Sequence, residues 1–251
     1  MAHYDLGSYD DFHKVELEET DSTNDYLKRH QGDFPHRLTL VTAEYQTAGR
    51  GATGRWQSVR GENLVFSLLV HPTMVEPARM FVLSEAICLA VCRALNSLVD
   101  GFRIKWPNDV YHGDQKVAGI LIENELRGRQ VADCVMGVGV NVNQRTFSSE
   151  APNPSSLASI THRCCDRNAV LDAIVMQFDS LYRCVEQGYG DELHSEYLSL
   201  LYRKDAEHAY RDAGGDFRAT LTGVEPDGHL LLRDQAGRMR KYAFKEVQYI
   251  I

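Results

Sequence analysis

The sequence predicts an α+β protein, in which helices cover one face of a mixed or antiparallel sheet and a small β barrel follows. Three observations carry this prediction. Short apolar runs between residues 102 and 143 are joined at Gly113 and Gly128, which is typical of hairpin turns. A long stretch of helical periodicity occupies residues 77–99. After about Asp205 only short strands broken by glycines remain, which favours a separate β domain.

The first strands are predicted at residues 13–17, 38–45 and 62–71. The third is apolar nearly throughout, as expected of a strand that is covered on both faces. Between the first two, the polar cluster at residues 20–25 precedes a short helical pattern at 26–30 and is typical of helix capping.

The long helix at residues 77–99 ends at Asp100 and Gly101, and we expect it to lie across the sheet. Four further strands are predicted at residues 102–106, 110–112, 116–126 and 130–143. Helices follow at residues 169–187, with Asn168 as the N-cap, and at 192–203. The prediction is therefore a first domain over residues 1–204 and a small β domain over residues 205–251.

The chain has 251 residues, 43% of them apolar, and a net charge of −8. This charge disfavours nonspecific binding to nucleic acid or to an anionic membrane. No apolar run approaches the roughly 18 residues of a membrane span, and residues 1–10 lack a secretory signal. We therefore expect a cytoplasmic protein without membrane or DNA partners.

A glycine-rich loop occupies residues 46–56 (QTAGRGATGRW). Its GxGxxG spacing at 49–54 is typical of dinucleotide binding only when a helix follows, and here the next regular element is a strand. What remains is a loop in which Arg50, Arg55 and backbone N–H groups can approach an anion such as phosphate. A surface loop with solvated arginines is the open alternative.

Lys105 stands at the end of an otherwise apolar strand, in the segment KWPND at residues 105–109. Because Pro107 favours an extended Trp106, the side chains of Lys105 and Trp106 should point to opposite faces. An ammonium on an inward face must be paired or bound to an anion, since its desolvation is costly. Lys105 therefore either pairs with a local carboxylate such as Asp109 or binds an anionic ligand.

Two later strands carry glycines with polar neighbours. Lys116 begins one of them, and Gly119 allows another backbone or a ligand to come close. Gly137 and Gly139 share one face of the next strand, and Asn141 continues it. The missing side chains leave room for a flat ligand, although a β-bulge explains these glycines equally well.

Five segments in this order resemble the biotin–protein ligases. They are DSTN at 21–24, AEYQTAGRG at 43–51, KWPND at 105–109, KVAGIL at 116–121 and GVGVNVN at 137–143. The resemblance spans residues 15–145. It implies a catalytic domain similar to class II aminoacyl-tRNA synthetases, and the tail resembles the small SH3-like domain of these enzymes.

The resemblance also implies the reaction. The biotin carboxylate attacks the α-phosphate of ATP with Mg²⁺ present, giving biotinyl-5′-AMP, and a lysine of a biotin carboxyl carrier protein then takes the biotinyl group. A fixed cation between two anionic reactants lowers the barrier electrostatically. The implied catalytic residues are Lys105, Arg50 and Lys116, and Asp109 is the implied Mg²⁺ ligand.

The resemblance assigns two overlapping sets of binding residues. Those implied to bind biotin are Ser22, Thr23, Asn24, Gln46, Gly49, Arg50, Gly51, Lys105, Trp106 and Gly119. Those implied to bind the nucleotide are Arg50, Ala52, Arg55, Trp56, Asn108, Lys116 and Asn141. In the small tail domain, the candidate phosphate contacts are Arg218, Arg233, Arg238 and Arg240.

Two features depart from the family pattern. Ala52 stands where the family loop usually has a second arginine, and the loop is one residue shorter before Trp56. Either Arg55 takes over that position, or the adenylate is retained less tightly. The first matching segment begins about twenty residues from Met1, so we expect no N-terminal winged helix and no operator binding. We expect a monomer or a homodimer.

Two other interpretations stay open. A lipoate or octanoate transferase has a similar fold, but it lacks the KWPND segment and has no need of the polar Ser22, Thr23 and Gln46. A noncatalytic biotin-binding regulator would be expected to have lost Lys105 or Arg50, and both are present.

Overall fold

The computed structural model describes residues 11–51, 54–56, 58–148 and 153–251. Within them, seven strands form one sheet in the order β1-β2-β3-β7-β6-β5-β4. β1 and β2 are parallel, and all other neighbours in this sheet are antiparallel. The strands are β1 Phe12–Thr20, β2 Leu38–Gln46, β3 Leu64–Val70, β4 Phe102–Lys105, β5 Asp109–His112, β6 Gln115–Arg127 and β7 Gln130–Val140.

In the described ranges, five α-helices accompany the sheet. They are α1 Thr23–His30, α2 Phe81–Asn96, α3 Leu157–Thr161, α4 Arg167–Glu186 and α5 Gly190–Ser199. The mixed α+β class and the seven strands of this sheet agree with the sequence prediction. The α3 helix was not predicted, because its five residues are too few to display helical periodicity.

The two faces of the sheet have different roles. In β3, Phe66 and Leu68 belong to the large core that contains α2 and α4. Leu69 lies on the opposite face, where it packs with Leu27 of α1 and Val135. The prediction that all helices cover one face is therefore wrong for α1. This short helix buries only Leu27 among its apolar residues, and eight residues do not indicate which face it covers.

Several helix boundaries also differ from prediction. Asp166 rather than Asn168 is the N-cap of α4, because its carboxylate accepts hydrogen bonds from the backbone N–H groups of Asn168 and Ala169. Helix α1 already begins at Thr23, with Ser22 as its N-cap. The predicted helix at 77–99 is split into a 3₁₀ turn, Pro77–Arg79, and α2.

The last five strands form a second, antiparallel sheet in the order β11-β10-β9-β8-β12. They are β8 Glu207–Asp212, β9 Gly215–Val224, β10 Leu230–Asp234, β11 Met239–Tyr242 and β12 Gln248–Tyr249. The segment that connects α5 to this second sheet, residues 200–206, pairs with β4. The N–H of Ile104 donates to the Leu200 carbonyl, and the N–H of Tyr202 donates to the Ile104 carbonyl. The apolar cores of the two sheets are continuous. The SH3-like barrel and the boundary at residue 205 stay predictions.

None of the helices in the described ranges has the length and apolar character needed to cross a lipid bilayer.

Candidate active site

A cavity of about 980 Å³ lies between the α1 face of the first sheet and the end of the second sheet. Most of the residues singled out by the sequence lie on its wall. They are Ser22, Thr23, Asn24, Gln46, Arg50, Gly51, Arg55, Trp56, Lys105, Trp106, Asn108, Asp109, Lys116, Gly119 and Asn141. Gly49 is buried behind Gln46 and Trp56 instead. Ala52 lies outside the described residues.

One end of the cavity is a polar network around the start of α1. The N–H and Oγ1 of Thr23 both donate to Gln46 Oε1, over 2.7 and 3.0 Å. Ser67 Oγ lies 2.7 Å from Thr23 Oγ1 and 2.6 Å from Asn24 Oδ1. Asn24 Nδ2 donates to Glu123 Oε2 over 2.9 Å. Adjacent donors and acceptors of this kind fit a small polar ring that both donates and accepts.

Two backbone hydrogen bonds join the described ends of the glycine-rich loop, which lie on the cavity wall. The N–H of Gly51 donates to the Gly54 carbonyl over 2.6 Å, and the N–H of Trp56 donates to the Gly49 carbonyl over 3.0 Å. The two arginines of this loop are not free. Arg50 Nη2 lies 2.5 Å from Asp25 and 3.1 Å from Glu123, and Arg55 donates to the Thr47 carbonyl. An anion that approaches the loop must therefore compete with these partners.

The glycines of β6 and β7 make room for protein side chains. A Cβ on Gly139 would lie 2.2 Å from the Trp56 indole, and one on Gly137 would lie 2.3 Å from Asn24 Oδ1. Gly119, which pairs with Gly139, also faces this indole. The sequence predicted space for a flat ligand or a β-bulge here. In this structure the flat group is Trp56, whose indole N–H is buried without a hydrogen-bond partner among the described residues.

Two lysines approach the other end of the cavity. Lys116 Nζ lies 2.7 Å from Asp109 Oδ1. Lys105 has no carboxylate of a described residue within ion-pair distance, and its ammonium lies over the rings of Tyr111 and Tyr249. Burial lowers the pKa of Lys105, and the nearby Asp109 partly opposes this effect. The predicted pair between Lys105 and Asp109 is therefore not formed, since Asp109 pairs with Lys116, and the binding of an anion by Lys105 stays a prediction.

Trp106 has a structural role that the sequence did not predict. Its indole N–H donates to the Gly228 carbonyl of the second sheet over 2.9 Å, and its ring makes an edge contact with Phe244. Asn108 and Asn141 likewise bind the backbone, at the carbonyls of Ile120 and Ser155. These side chains fix the strands of the cavity wall.

The contribution of the second sheet to the cavity differs from prediction. None of the four candidate arginines of the tail is on the cavity wall. Arg218 pairs with Glu207, while Arg238 and Arg240 pair with Asp234. The residues that reach the cavity come from the last eight positions, namely Phe244, Lys245, Val247, Gln248, Tyr249 and Ile251. The apolar and aromatic composition of this segment was the signal in the sequence that could have indicated its contribution to the cavity wall.

Asp109 is the residue predicted to bind Mg²⁺. The described residues around the cavity contain no cluster of three or more metal-ligating side chains. The one cluster of that kind among the described residues, Glu225 with Asp227 and His229, is in the turn between β9 and β10. Mg²⁺ usually binds one or two carboxylates together with substrate phosphates and water. A single carboxylate beside a nucleotide fits that requirement.

The chain is similar to known proteins in sequence and in fold. The model of the Biotin/lipoate A/B protein ligase family matches residues 16–141. The chain belongs to this family. It is 30% identical over 218 residues to the bifunctional ligase/repressor BirA of Bacillus spizizenii. These aligned residues cover 82% of this chain and 64% of that protein. The chain thus spans slightly under two thirds of the length of this relative.

A second relative matches over almost its full length. The biotin–[acetyl-CoA-carboxylase] ligase of Paracoccus denitrificans is 29% identical over 231 residues, which cover 88% of this chain and 95% of that protein. Among solved structures, the biotin protein ligase from Aquifex aeolicus in complex with biotin and ATP aligns with a TM-score of 0.79. It is 27% identical, and the alignment covers 95% of this chain and 99% of that chain.

Proposed function

We propose that this chain is an ATP-dependent biotin–protein ligase, with biotin and ATP as substrates and Mg²⁺ as a cofactor. One observation carries the proposal: a single cavity joins the polar network of Thr23 and Gln46 to the unpaired ammonium of Lys105. The polar end fits the ureido ring of biotin, and the ammonium fits its carboxylate and the α-phosphate. The names of the relatives support this choice of substrates.

In the first step, an oxygen of the biotin carboxylate attacks the α-phosphorus of ATP, and the bond from that phosphorus to the leaving oxygen breaks. The products are biotinyl-5′-AMP and pyrophosphate. Two anions must approach each other, so a cation that is already in position lowers the barrier. Lys105 is assigned this charge because, among the described residues, no carboxylate forms an ion pair with it. Lys116 and Arg50 are the further candidates for contact with phosphate oxygens.

Asp109 is the residue we assign to Mg²⁺. Bound there, the ion would neutralise phosphate charge. Lys116 pairs with this carboxylate, so Asp109 also holds the Lys116 ammonium at the cavity wall. In the second step, the amine of a carrier lysine attacks the mixed anhydride carbonyl, the bond to AMP breaks and the amine loses a proton.

We propose that the acceptor is a lysine of a biotin carboxyl carrier protein and that the reaction takes place in the cytoplasm. The protein is incubated with ATP, labelled biotin and a biotin carrier domain. Pyrophosphate release and label on one carrier lysine are expected. Preference for lipoate would favour the acyl-transferase alternative, and binding of biotin without pyrophosphate release would favour a noncatalytic regulator.

Replacement of Lys105 tests the mechanism. Lys105→Ala should reduce adenylate formation by at least about a hundredfold, since it removes the fixed charge at the reacting groups. Lys14→Ala is the matched control, because Lys14 pairs with Glu16 on β1 and does not line the cavity. Unchanged turnover of Lys105→Ala would refute the proposed role.

A further inference from the structure

Lys105 is held between two aromatic rings that come from different sheets. Its Nζ lies 5.3 Å from the ring centroid of Tyr111 on β5 and 4.9 Å from that of Tyr249 on β12. Both distances are within the range of a cation–π interaction. Tyr111 is six positions further along the same hairpin, whereas Tyr249 is the third residue from the end of the chain.

The chemistry of such a contact suits a catalytic ammonium. A carboxylate beside Lys105 would stabilise its charge and also neutralise it toward the substrates. The face of a tyrosine ring attracts the cation through its quadrupole but carries no net charge. Two ring faces therefore compensate part of the cost of desolvation, and the full positive charge stays available to the anions in the cavity.

The backbone and the ring of Tyr249 are fixed by the second sheet. Tyr249 pairs with Tyr210 in the ladder between β8 and β12, and the two rings lie 5.1 Å apart. Next to it, the N–H of Ile250 donates to the Ala209 carbonyl, and Arg203 donates to the Ile250 carbonyl. The ring of Tyr202 stacks on Tyr249 at 6.2 Å. Backbone pairing and ring packing thus set the position of Tyr249.

The hydroxyl of Tyr249 has no part in this arrangement. It is buried and makes no hydrogen bond to any described residue. The ring and the hydroxyl can therefore be separated by substitution: Tyr249→Phe keeps the ring face over Lys105, and Tyr249→Leu replaces it with an apolar group that has no quadrupole.

We propose that Tyr249 is a positioning residue for Lys105, through which the second sheet contributes to the adenylation step. This inference rests on the proposed function, in which Lys105 is the cation at the reacting groups. It gives the second sheet a role in the reaction that does not require its arginines to reach the nucleotide.

The test compares biotin-dependent exchange of pyrophosphate into ATP for wild type, Tyr249→Phe, Tyr249→Leu and Phe217→Leu. Phe217 is the matched control, because it stacks on Tyr210 in the same sheet but does not line the cavity. We expect Tyr249→Phe and Phe217→Leu to stay within about twofold of wild type. Tyr249→Leu should lower kcat about tenfold, with a smaller change in the KM for biotin.

The pH profile separates this role from a merely structural one. Loss of the ring face destabilises the charged amine, so the basic limb of the kcat profile should move to lower pH by about one unit in Tyr249→Leu and stay in place in Tyr249→Phe. Equal losses in the Phe and Leu variants, or an unchanged Leu variant, would overturn the inference. Both results leave the proposed function intact.

A second measurement does not depend on turnover. The Lys105 amine is titrated by ¹⁵N NMR in the Phe and Leu variants, with Lys105→Arg used to assign its signal. A lower titration midpoint in Tyr249→Leu supports the inference, and identical midpoints overturn it. Failure of the proposed function is seen separately, as absence of pyrophosphate exchange in the wild-type protein.

Discussion

Asp109 neutralises Lys116 rather than Lys105: its Oδ1 lies 2.7 Å from Lys116 Nζ, although Asp109 and Lys105 are register partners in the hairpin of β4 and β5. The two lysines therefore have different electrostatic states. Lys116 is half of an ion pair that a nucleotide must rearrange. Lys105 forms no ion pair with any described carboxylate and lies on the cavity wall.

The first prediction concerns this carboxylate. Asp109→Asn removes the ion-pair partner of Lys116, the nearby negative charge that acts on Lys105, and the proposed Mg²⁺ ligand. We expect adenylate formation to fall at least tenfold, because phosphate charge is less well neutralised. Asp109 raises the pKa of Lys105 against the effect of burial, so its loss should also move the basic limb of the pH–rate profile to lower pH. Pyrophosphate exchange between pH 6 and 10 measures both effects.

Asp216→Asn is the control for the removal of a paired aspartate. Asp216 pairs with Arg211 on the exposed surface of the second sheet, far from the cavity wall. Its substitution should leave the profile unchanged. An Asp109→Asn variant with the rate and profile of wild type would contradict the assignment.

The second prediction concerns the contact between Arg50 and Asp25. Asp25 lies in the first turn of α1 and, with Glu123, pairs with Arg50 of the glycine-rich loop. Asp25→Asn weakens that pairing and frees Arg50 for an anion. Because the pair is partly exposed to solvent, the gain is small, and we expect the KM for ATP to fall by about twofold.

Hydrogen exchange of the loop amides gives an independent readout of the same change. Exchange at residues 49–51 should be faster in unliganded Asp25→Asn than in wild type and equal to it when biotin and ATP are bound. Slower exchange, or a higher KM for ATP, would show that Asp25 supports the active loop rather than restrains it.

Local patterns predicted more of this molecule than long-range contacts did. The apolar run of β3 and the turns at Gly113 and Gly128 correctly indicated strands and hairpins, because each depends on neighbouring residues. The position of α1 on the second face depends on Leu27 meeting Leu69 and Val135, which no local pattern reveals.

In the candidate site, too, local patterns predicted single residues but not their long-range contacts. The KWPND segment indicated a lysine at a functional strand end, and Lys105 does lie on the cavity wall. Its partners could not be predicted, since Tyr249 is 144 positions away in sequence. The glycines of β7 were correctly interpreted as missing side chains, but the groups that fill the space, Trp56 and Asn24, come from two distant segments.

The third prediction concerns the contact between Gly139 and Trp56. A Cβ at position 139 would lie 2.2 Å from the indole, so Gly139→Ala must displace Trp56 from this face of the sheet. The methyl group also narrows the cavity, whose wall includes Gly139. We expect the Kd for biotin to rise at least tenfold and the fluorescence of Trp56 to change.

Gly32→Ala is the matched control for this substitution. Nothing lies within 4 Å of a Cβ placed at position 32, and Gly32 is outside the cavity. Isothermal titration of biotin should give the wild-type Kd for this variant. Unchanged biotin affinity in Gly139→Ala would show that Trp56 and the substrate do not share this surface.

The fourth prediction concerns stability and pH. Glu85 of α2 is 2% exposed, and its carboxylate lies 2.6 Å from Nδ1 of His194 on α5. Burial raises the pKa of Glu85 from its ordinary value of 4.5 to about 7, although the contact with His194 opposes this effect. Between these values the folded protein retains a proton that the unfolded chain releases, so the free energy of unfolding falls as the pH rises.

Glu85→Gln isolates this contribution, because the amide keeps the shape of the protonated acid and cannot ionise. Urea denaturation at pH 4, below the unfolded pKa, should give nearly equal free energies of unfolding for wild type and Glu85→Gln. At pH 8 the variant should be more stable than wild type by about 2 to 3 kcal/mol. The exposed Glu76, replaced by Gln, should show no such difference. A gap between wild type and Glu85→Gln that is the same at both pH values would mean that Glu85 ionises in the folded protein as readily as in the unfolded chain.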